Sequence, residues 1–381
     1  MANNFTPLIP VIYEALDVVP RELIGAIGAV QLDPSAENAA VGQTIRSHVV
    51  PQGSLVDIVP GITNQNGQSQ TISNVDVTLT KAKTYAVQWN GDEQLSLGSQ
   101  YAGILRDQFA QAYRTLANAM EADIVNAVAA GSSRAVGTAG TTPFAVANDL
   151  SDWAYAGKLL DDNGAPMEGR SVIMGTTAAA ALKAKQSLLL KLNESGSADL
   201  LRNGNISAMP IEGFTPRVSG QIKTGAAVGT GSGYVVAAGG AAFGATTITL
   251  ATGSGTILAG DVVTIGNYKY VVTVGITAPG AITIAAPGLQ ETVAAAATVT
   301  VNAASVKNVI LQKNGFVLAS RLPAMPQGGD AASDVMVVTD PVSGLSFQLA
   351  MYKQYRQVVI EVGAVWGTKV IRPEYCGLIL G

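Results

Sequence analysis

Acid–base chemistry needs carboxyls or imidazoles within reach of one another, and this chain offers only scattered candidates. Asp92 stands beside Glu93, Glu121 two residues before Asp123, and Asp161 beside Asp162, while Asp107 lies near the start of a helical pattern. Glu121 and Asp123 are two apart on a helix and so do not face each other. Asp92 and Glu93 fall just before a long helix, where negative charge suits an approaching N-terminus. Nothing singles out one pair as acid and base, and all are expected to be solvated charges or contacts between subunits. The single histidine, His48, would have to serve any Ser-His-Asp arrangement, and no Gly-x-Ser-x-Gly elbow accompanies it. A zinc site needs three or four ligands, which one His and one distant Cys do not supply. His48 is therefore expected as a half-exposed strand residue, and Cys376, among Tyr375, Leu378 and Ile379, as a small buried hydrophobe. A phosphate loop would require Lys-Ser or Lys-Thr after its glycines, or an acidic ribose partner in a βαβ unit. Gly229-Thr230-Gly231-Ser232-Gly233 has neither and is expected to be a linker. Lys183, Lys185 and Lys191 make a weakly basic patch, expected to be a solvated helix face that touches phosphates at most non-specifically. No catalytic, cofactor-binding or metal residue is assigned, and no cofactor is expected.

Positioning any such group would fall to a few strongly patterned elements. From Ser99 to Ala130, Tyr101, Leu105, Phe109, Ala112, Leu116, Met120, Ile124 and Ala127 recur every three or four residues and make one apolar stripe. Ser99 is expected to cap this helix and Gly131 to end it. Before it, Val75, Val77 and Leu79, then Tyr85, Val87 and Trp89, alternate with polar or small residues, the period of strands with one apolar face. Lys81-Ala82-Lys83 fits the connection of a hairpin, and Thr44–Ile62 reads as a further strand. A two-stranded ribbon is barely stable alone and needs a neighbour, which in an oligomer is another subunit. Pro10–Val30 shows two short amphipathic helical patterns parted at Pro20, with little core of their own, so an arm that docks elsewhere is expected. Helices at Asn148–Asp161 and Thr176–Gln186 and strands at Ser171–Met174 and Ile211–Val218 are α/β material, which is then interrupted.

The interruption is abrupt. Thr224–Gly260 carries no charge, and from there to about Ala304 only Asp261, Lys269 and Glu291 are charged. Strand patterns at Thr247–Leu250, Asp261–Ile265, Tyr268–Val274, Ile282–Ala285 and Thr298–Val301, separated by Gly-rich turns, are the cue for a small antiparallel barrel or sandwich inserted into a host. Host sequence resumes at Ser305, with strands at Val309–Gln312, Phe316–Ala319, Leu345–Met351 and Val358–Trp366 and a last one after Pro373. The 381 residues suffice for two or three domains, and the net charge of −4 offers no basic face to nucleic acid. Charged residues are only 13% of the chain against roughly 25% in an average soluble domain, which favours a subunit of a large assembly. Neither a signal peptide nor a membrane span is expected.

Several stretches taken together resemble the major capsid proteins of short-tailed phages whose coat protein carries an insertion domain. Phe5-Thr6-Pro7-Leu8-Ile9-Pro10 with Val11-Ile12-Tyr13-Glu14-Ala15-Leu16, Ala40-Val41-Gly42-Gln43-Thr44, Gln70-Thr71-Ile72 and Trp89-Asn90-Gly91-Asp92-Glu93-Gln94 are similar to the first half of that family. Asn314-Gly315-Phe316-Val317-Leu318-Ala319, Asp340-Pro341-Val342-Ser343-Gly344-Leu345-Ser346, Tyr352-Lys353-Gln354-Tyr355 and Gly367-Thr368-Lys369-Val370-Ile371-Arg372-Pro373-Glu374 come after in order, and Ala259–Ile265 looks like a strand of its barrel.

The resemblance implies an α+β chain of the Hong Kong 97-type capsid fold: an N-terminal arm at 1–41 and an extended β loop at 42–98. A spine helix at 99–131 would form a peripheral domain with about 335–366. An axial α/β domain would comprise 132–222, 305–334 and 367–381, with an insertion barrel at 223–304. It implies a structural role in the icosahedral head shell around phage double-stranded DNA, with hexameric and pentameric capsomers. Scaffolding and portal proteins are the implied partners, the DNA is contacted non-specifically, and the place is the virion, assembled in the bacterial host cytoplasm. No catalytic residue carries over. Some relatives of the wider fold cross-link Lys to Asn, but Lys81 and Lys83 are the ribbon's only lysines and no motif supports such a bond. Another virion component, such as a tail tube or decoration protein, or an enzyme with a β-rich binding insert, are the alternatives.

Overall fold

A computed structural model describes residues 9–18, 25–49, 60, 73–146, 149–184, 210–223, 225, 228–340 and 343–381. The N-terminal helix α1 (Ile9–Val18) buries Ile12 and Ala15 against the chain's own long helix. The arm thus docks within its own subunit. The second helical pattern, after Pro20, lies partly outside the described residues, and its described part is one 3-10 turn at Ile27–Ala29. Next come strand β1 (Gln31–Ala39), then β2 (Thr44–Val49) and β3 (Ser73–Thr78), which pair antiparallel from Thr44↔Thr78 to Val49↔Ser73.

The next strand, β4 (Lys81–Asn90), corrects the hairpin expectation. Lys81-Ala82-Lys83 is no turn but the start of β4, which does not pair with β3. That tripeptide has no Gly, Asn or Asp to take the positive φ a tight hairpin favours. Leu79 is buried, Thr80 donates to the Trp366 carbonyl at 3.1 Å, and the chain crosses onto the central sheet. There the apolar face of Tyr85, Val87 and Trp89 finds a core that a two-stranded ribbon lacks. Helix α2 (Gly91–Leu97) begins with a capping box: the Asn90 side chain accepts from Glu93 N–H at 2.7 Å and the Glu93 carboxylate accepts from Asn90 N–H at 3.0 Å. Asn90→Ala should cost about 1 kcal/mol, checked as a shift in the denaturant midpoint.

Helix α3 (Tyr101–Gly131) has 31 residues, about 46 Å of rise. Its expected cap, Ser99, lies in a 3-10 turn before it; Gln100 is the N-cap and makes no side-chain capping bond. Burial is wider than one stripe. Ala110, Tyr113, Ala117, Glu121, Val125 and Val128 form a second buried row, because α3 is covered on more than one side. Beyond it come β5 (Arg134–Gly137), α4 (Ser151–Asp162), β6 (Arg170–Met174), α5 (Thr176–Ala184) and β7 (Thr215–Val218).

The inserted segment supplies β8 (Tyr234–Val236), β9 (Thr247–Ala251), β10 (Val262–Ile265), β11 (Tyr268–Val274), β12 (Ala281–Ile284) and β13 (Thr298–Val301). They pair antiparallel in the order β10-β13-β8-β9-β12-β11, and β10 pairs back to β11, so the barrel is closed. Closure removes every free edge, and Tyr234, Ile248, Leu250, Val263, Tyr270, Ile282 and Val299 fill its interior. The barrel is not a separate bead: Lys269↔Ala135 and Tyr270↔Arg134 join β11 to β5. From β5 the sheet continues through β19 (Cys376–Leu380), β14 (Lys307–Gln312), β6 and β7.

The second large sheet contains β15 (Phe316–Pro323), β16 (Asp334–Thr339), β17 (Ser346–Gln354) and the 14-residue β18 (Gln357–Val370), in the order β1-β15-β18-β17-β16 with β4 also on β18. Residues 316–323, expected with the 132–222 segment, are instead paired into the sheet of β16–β18, as are β1 and β4. The physical reason is β18, long enough to pair β17 through 357–363 and β15 through 365–370. Helix α3 lies between the two sheets, sharing one core with Phe347, Leu349, Val362 and Trp366 on one side and Val309, Leu311 and Leu378 on the other.

Candidate functional site

The groups that chemistry would recruit are dispersed by the fold. His48 sits in β2 opposite Asn74. Cys376 is fully buried at the start of β19, and burial pushes its thiol up to about 12, where it is no nucleophile. Asp92 and Glu93 occupy the first turn of α2, and Asp107 pairs with Arg106, which also reaches Glu14 of α1 at 3.0 Å. Lys183 is exposed on α5, while Lys185 and Lys191 lie outside the described residues. Gly229–Gly233 is built into the barrel wall, with Gly231 N–H donating to the Thr256 carbonyl at 2.8 Å. A Cβ on Gly229 would stand 2.1 Å from that carbonyl oxygen, so close backbone approach explains that glycine. Among the described residues no three His, Cys, Asp or Glu side chains gather in a metal-binding group.

Two acidic pairs have defined partners within the subunit, one of them, Asp161 and Asp162, while still exposed. Asp161 and Asp162 neutralise buried arginines: Arg170 reaches Asp161 at 2.7 Å, and Arg134 reaches Asp162 at 3.5 Å. Burial lowers the pKa of Arg134, which also donates to the Leu159 carbonyl at 3.0 Å and to Asn163 Oδ1 at 2.8 Å. These ions sit beside a cleft of about 530 Å3 between α4 and the start of β11, walled by Tyr155 and Tyr268. Its charges are spent internally, since Lys158 takes Asp162 at 2.6 Å and Lys269 donates to the Gly137 carbonyl.

Glu121 and Asp123 divide their work along α3. Asp123 accepts from Trp366 Nε1 at 2.8 Å and pairs with Lys81, the first residue of β4. Glu121, 0% exposed, faces the arm. Its Oε1 accepts from Ala26 N–H at 2.8 Å and Ile27 N–H at 3.3 Å, and its Oε2 from Ser219 Oγ at 2.9 Å. Burial raises its carboxyl to about 7 against the pull of these bonds and of the Arg217 charge. Sequence reading missed this role because the second buried row of α3, with small Ala110 and Ala117 on the N-terminal side of Glu121, stands out less than the first.

What the surface offers is contact area. The β2–β3 ribbon is a two-stranded sheet with no third strand among the described residues. Its root is fixed by Val77 and Leu79, buried with Ala39, Val317, Ala319 and Val365, while Thr44 and Arg46 are exposed. At the sheet end where Gly91 N–H donates to the Arg356 carbonyl, Leu95 is 84% and Tyr355 89% exposed.

The described residues thus define an α+β protein: a long helix between two sheets, a closed barrel in one of them and a projecting ribbon. No family model matches the chain, and no curated protein is significantly similar in sequence. Among solved structures, the capsid structure of the cyanophage P-SCSP1u is similar over 92% of this chain and 86% of its own, at 12% identity and a TM-score of 0.49. The capsid of a native GTA particle is similar over 94% and 90%, at 10% identity and 0.47. A Mycobacterium phage Che8 structure is similar over 89% and 84%, at 14% identity and 0.45.

Proposed function

We propose that the chain is a major capsid protein of the Hong Kong 97 type, a structural subunit without catalytic work that builds an icosahedral head shell around phage double-stranded DNA. The observation that carries the reading is the ribbon. An antiparallel pair with no third strand among the described residues leaves edge backbone groups that a neighbouring copy would cover. The ordered series of resembling stretches from Phe5 to Glu374 supports the same reading, as does a charged content of 13%. In this scheme α3 is the spine, the sheet of β1, β4 and β15–β18 the peripheral part, and the sheet of β5–β7, β14 and β19 the axial part. The barrel is the inserted domain. Scaffolding and portal proteins are the proposed partners, the bacterial cytoplasm the site of assembly and the virion the destination. A tail-tube or decoration protein, being mostly β, would not call for a 31-residue helix at its centre.

The test is electron microscopy of the purified full-length protein, alone and co-expressed with a scaffolding protein. Shells or ring-shaped capsomers are expected. A chain that stays monomeric under all these conditions overturns the reading.

A further inference from the structure

We propose that Glu121 is a latch for the N-terminal arm: its carboxyl fastens residues 25–30 to α3 and to the end of β7, and the proton on that carboxyl sets how firmly they are held. The inference stands on the geometry of one subunit and is independent of what the chain assembles into.

Two segments far apart in sequence converge on this side chain. Ala26 and Ile27 give backbone N–H groups to one oxygen, and Ser219, the residue after β7, gives its hydroxyl to the other. Packing leaves no slack beside it. A Cβ on Gly25 would stand 2.6 Å from the Val218 carbonyl oxygen, and one on Gly28 would stand 2.6 Å from Arg217 Nη1. The arm therefore lies directly against β7 backbone at Gly25, as only glycine allows.

The charged surroundings are simple. The 3-10 turn at Ile27–Ala29 offers only backbone amides, and β7 offers Arg217, among the described residues the one charged side chain whose field reaches Glu121. Arg217 is itself lowered by burial, and its Nε is buried without a partner. On α3 the neighbouring acid, Asp123, is engaged by Lys81 and Trp366. A protonated Glu121 keeps the arrangement: Oε1 still accepts from both amides, and the Oε2 hydroxyl donates to Ser219 Oγ instead of accepting from it. The ionised form keeps the bonds but bears the cost of a buried charge.

The direction is set by the raised value of the latched carboxyl, about 7 against an ordinary 4.5. A carboxyl that binds its proton more tightly when latched grips best at low pH. The grip weakens as pH rises from about 4.5 through about 7 and is level above that.

Hydrogen exchange of the full chain measures this at the two amides that make the bonds. With protection factors corrected for the intrinsic rate, Ala26 and Ile27 should lose roughly 30-fold in protection between pH 5.5 and 8.5. Glu121→Gln, which is isosteric and cannot ionise, should hold that protection level across the same range. Amides of β9 and β12 in the barrel serve as the internal reference. Protection at Ala26 and Ile27 that is flat with pH in the unmodified chain overturns the proposal. So does an equal fall in the Glu121→Gln chain.

Discussion

Trp366→Ala is expected to lower the unfolding free energy by about 3–5 kcal/mol, a loss read as a shift in the urea midpoint at unchanged slope. The indole is fully buried where β18 leaves β4 and meets β15: Trp366 stands opposite Lys81 on one edge and Ser320 on the other. Alanine would open a cavity beside α3 and remove the donor that, with Lys81, holds Asp123. Trp366→Phe separates the two effects. It keeps most of the volume and loses the N–H, so its cost should fall to about 1–2 kcal/mol. Equal losses in both variants would mean that the hydrogen bond, not the packing, carries the site.

Gly367→Ala is expected to cost about 3 kcal/mol and to displace the ribbon. A Cβ there would stand 2.2 Å from the Thr78 carbonyl oxygen, 2.9 Å from its carbon and 3.0 Å from the Leu79 Cα. All three are backbone atoms, so no rotamer change relieves the clash, and overpacking of this kind typically costs about 1–3 kcal/mol. The strands must part or the ribbon must tilt at its root. Gly363→Ala, four residues away on the same strand, is the control. Its nearest neighbour is Pro323 Cγ at 3.1 Å, and a cost below about 1 kcal/mol is expected. Denaturant midpoints rank the two, and under the proposed function Gly367→Ala should also reduce particle yield, read by electron microscopy, beyond what its stability loss explains.

Legibility in the sequence tracked how local each signal was. The α3 row from Leu105 to Ile124 repeats every three or four residues, and the barrel strands sit between glycines that turn the chain, so both could be read. The strand Gln31–Ala39 could not. It has no alternation, contains Pro34, and exists because β15, nearly three hundred residues later, offers a parallel edge. Asp334–Thr339 has an unbroken Val-Met-Val-Val run whose two faces only the pairing with β17 distinguishes. Helix α2 has a local signal, Asn90 and Glu93 at capping-box spacing, but the sequence reading leaves residues 91–97 in the extended loop at 42–98. For β4, alternation gave the strand correctly and its partner wrongly. Period two says which face is apolar, never which strand lies alongside. Glu121 is the sharpest case. A glutamate among Ala110, Ala117 and Val125 looks like a surface position until the arm and β7 close over it.

The seam between β11 and β5 bears on how the inserted segment can be used. The bonded residues, Lys269 and Tyr270, lie near one end of β11, and the Gly275–Gly280 turn caps the other, about 17 Å further along. A barrel hydrogen-bonded into the host sheet has no swivel. A peptide grafted into that turn would be carried at a fixed attitude to the subunit, repeated without blurring wherever the subunit repeats.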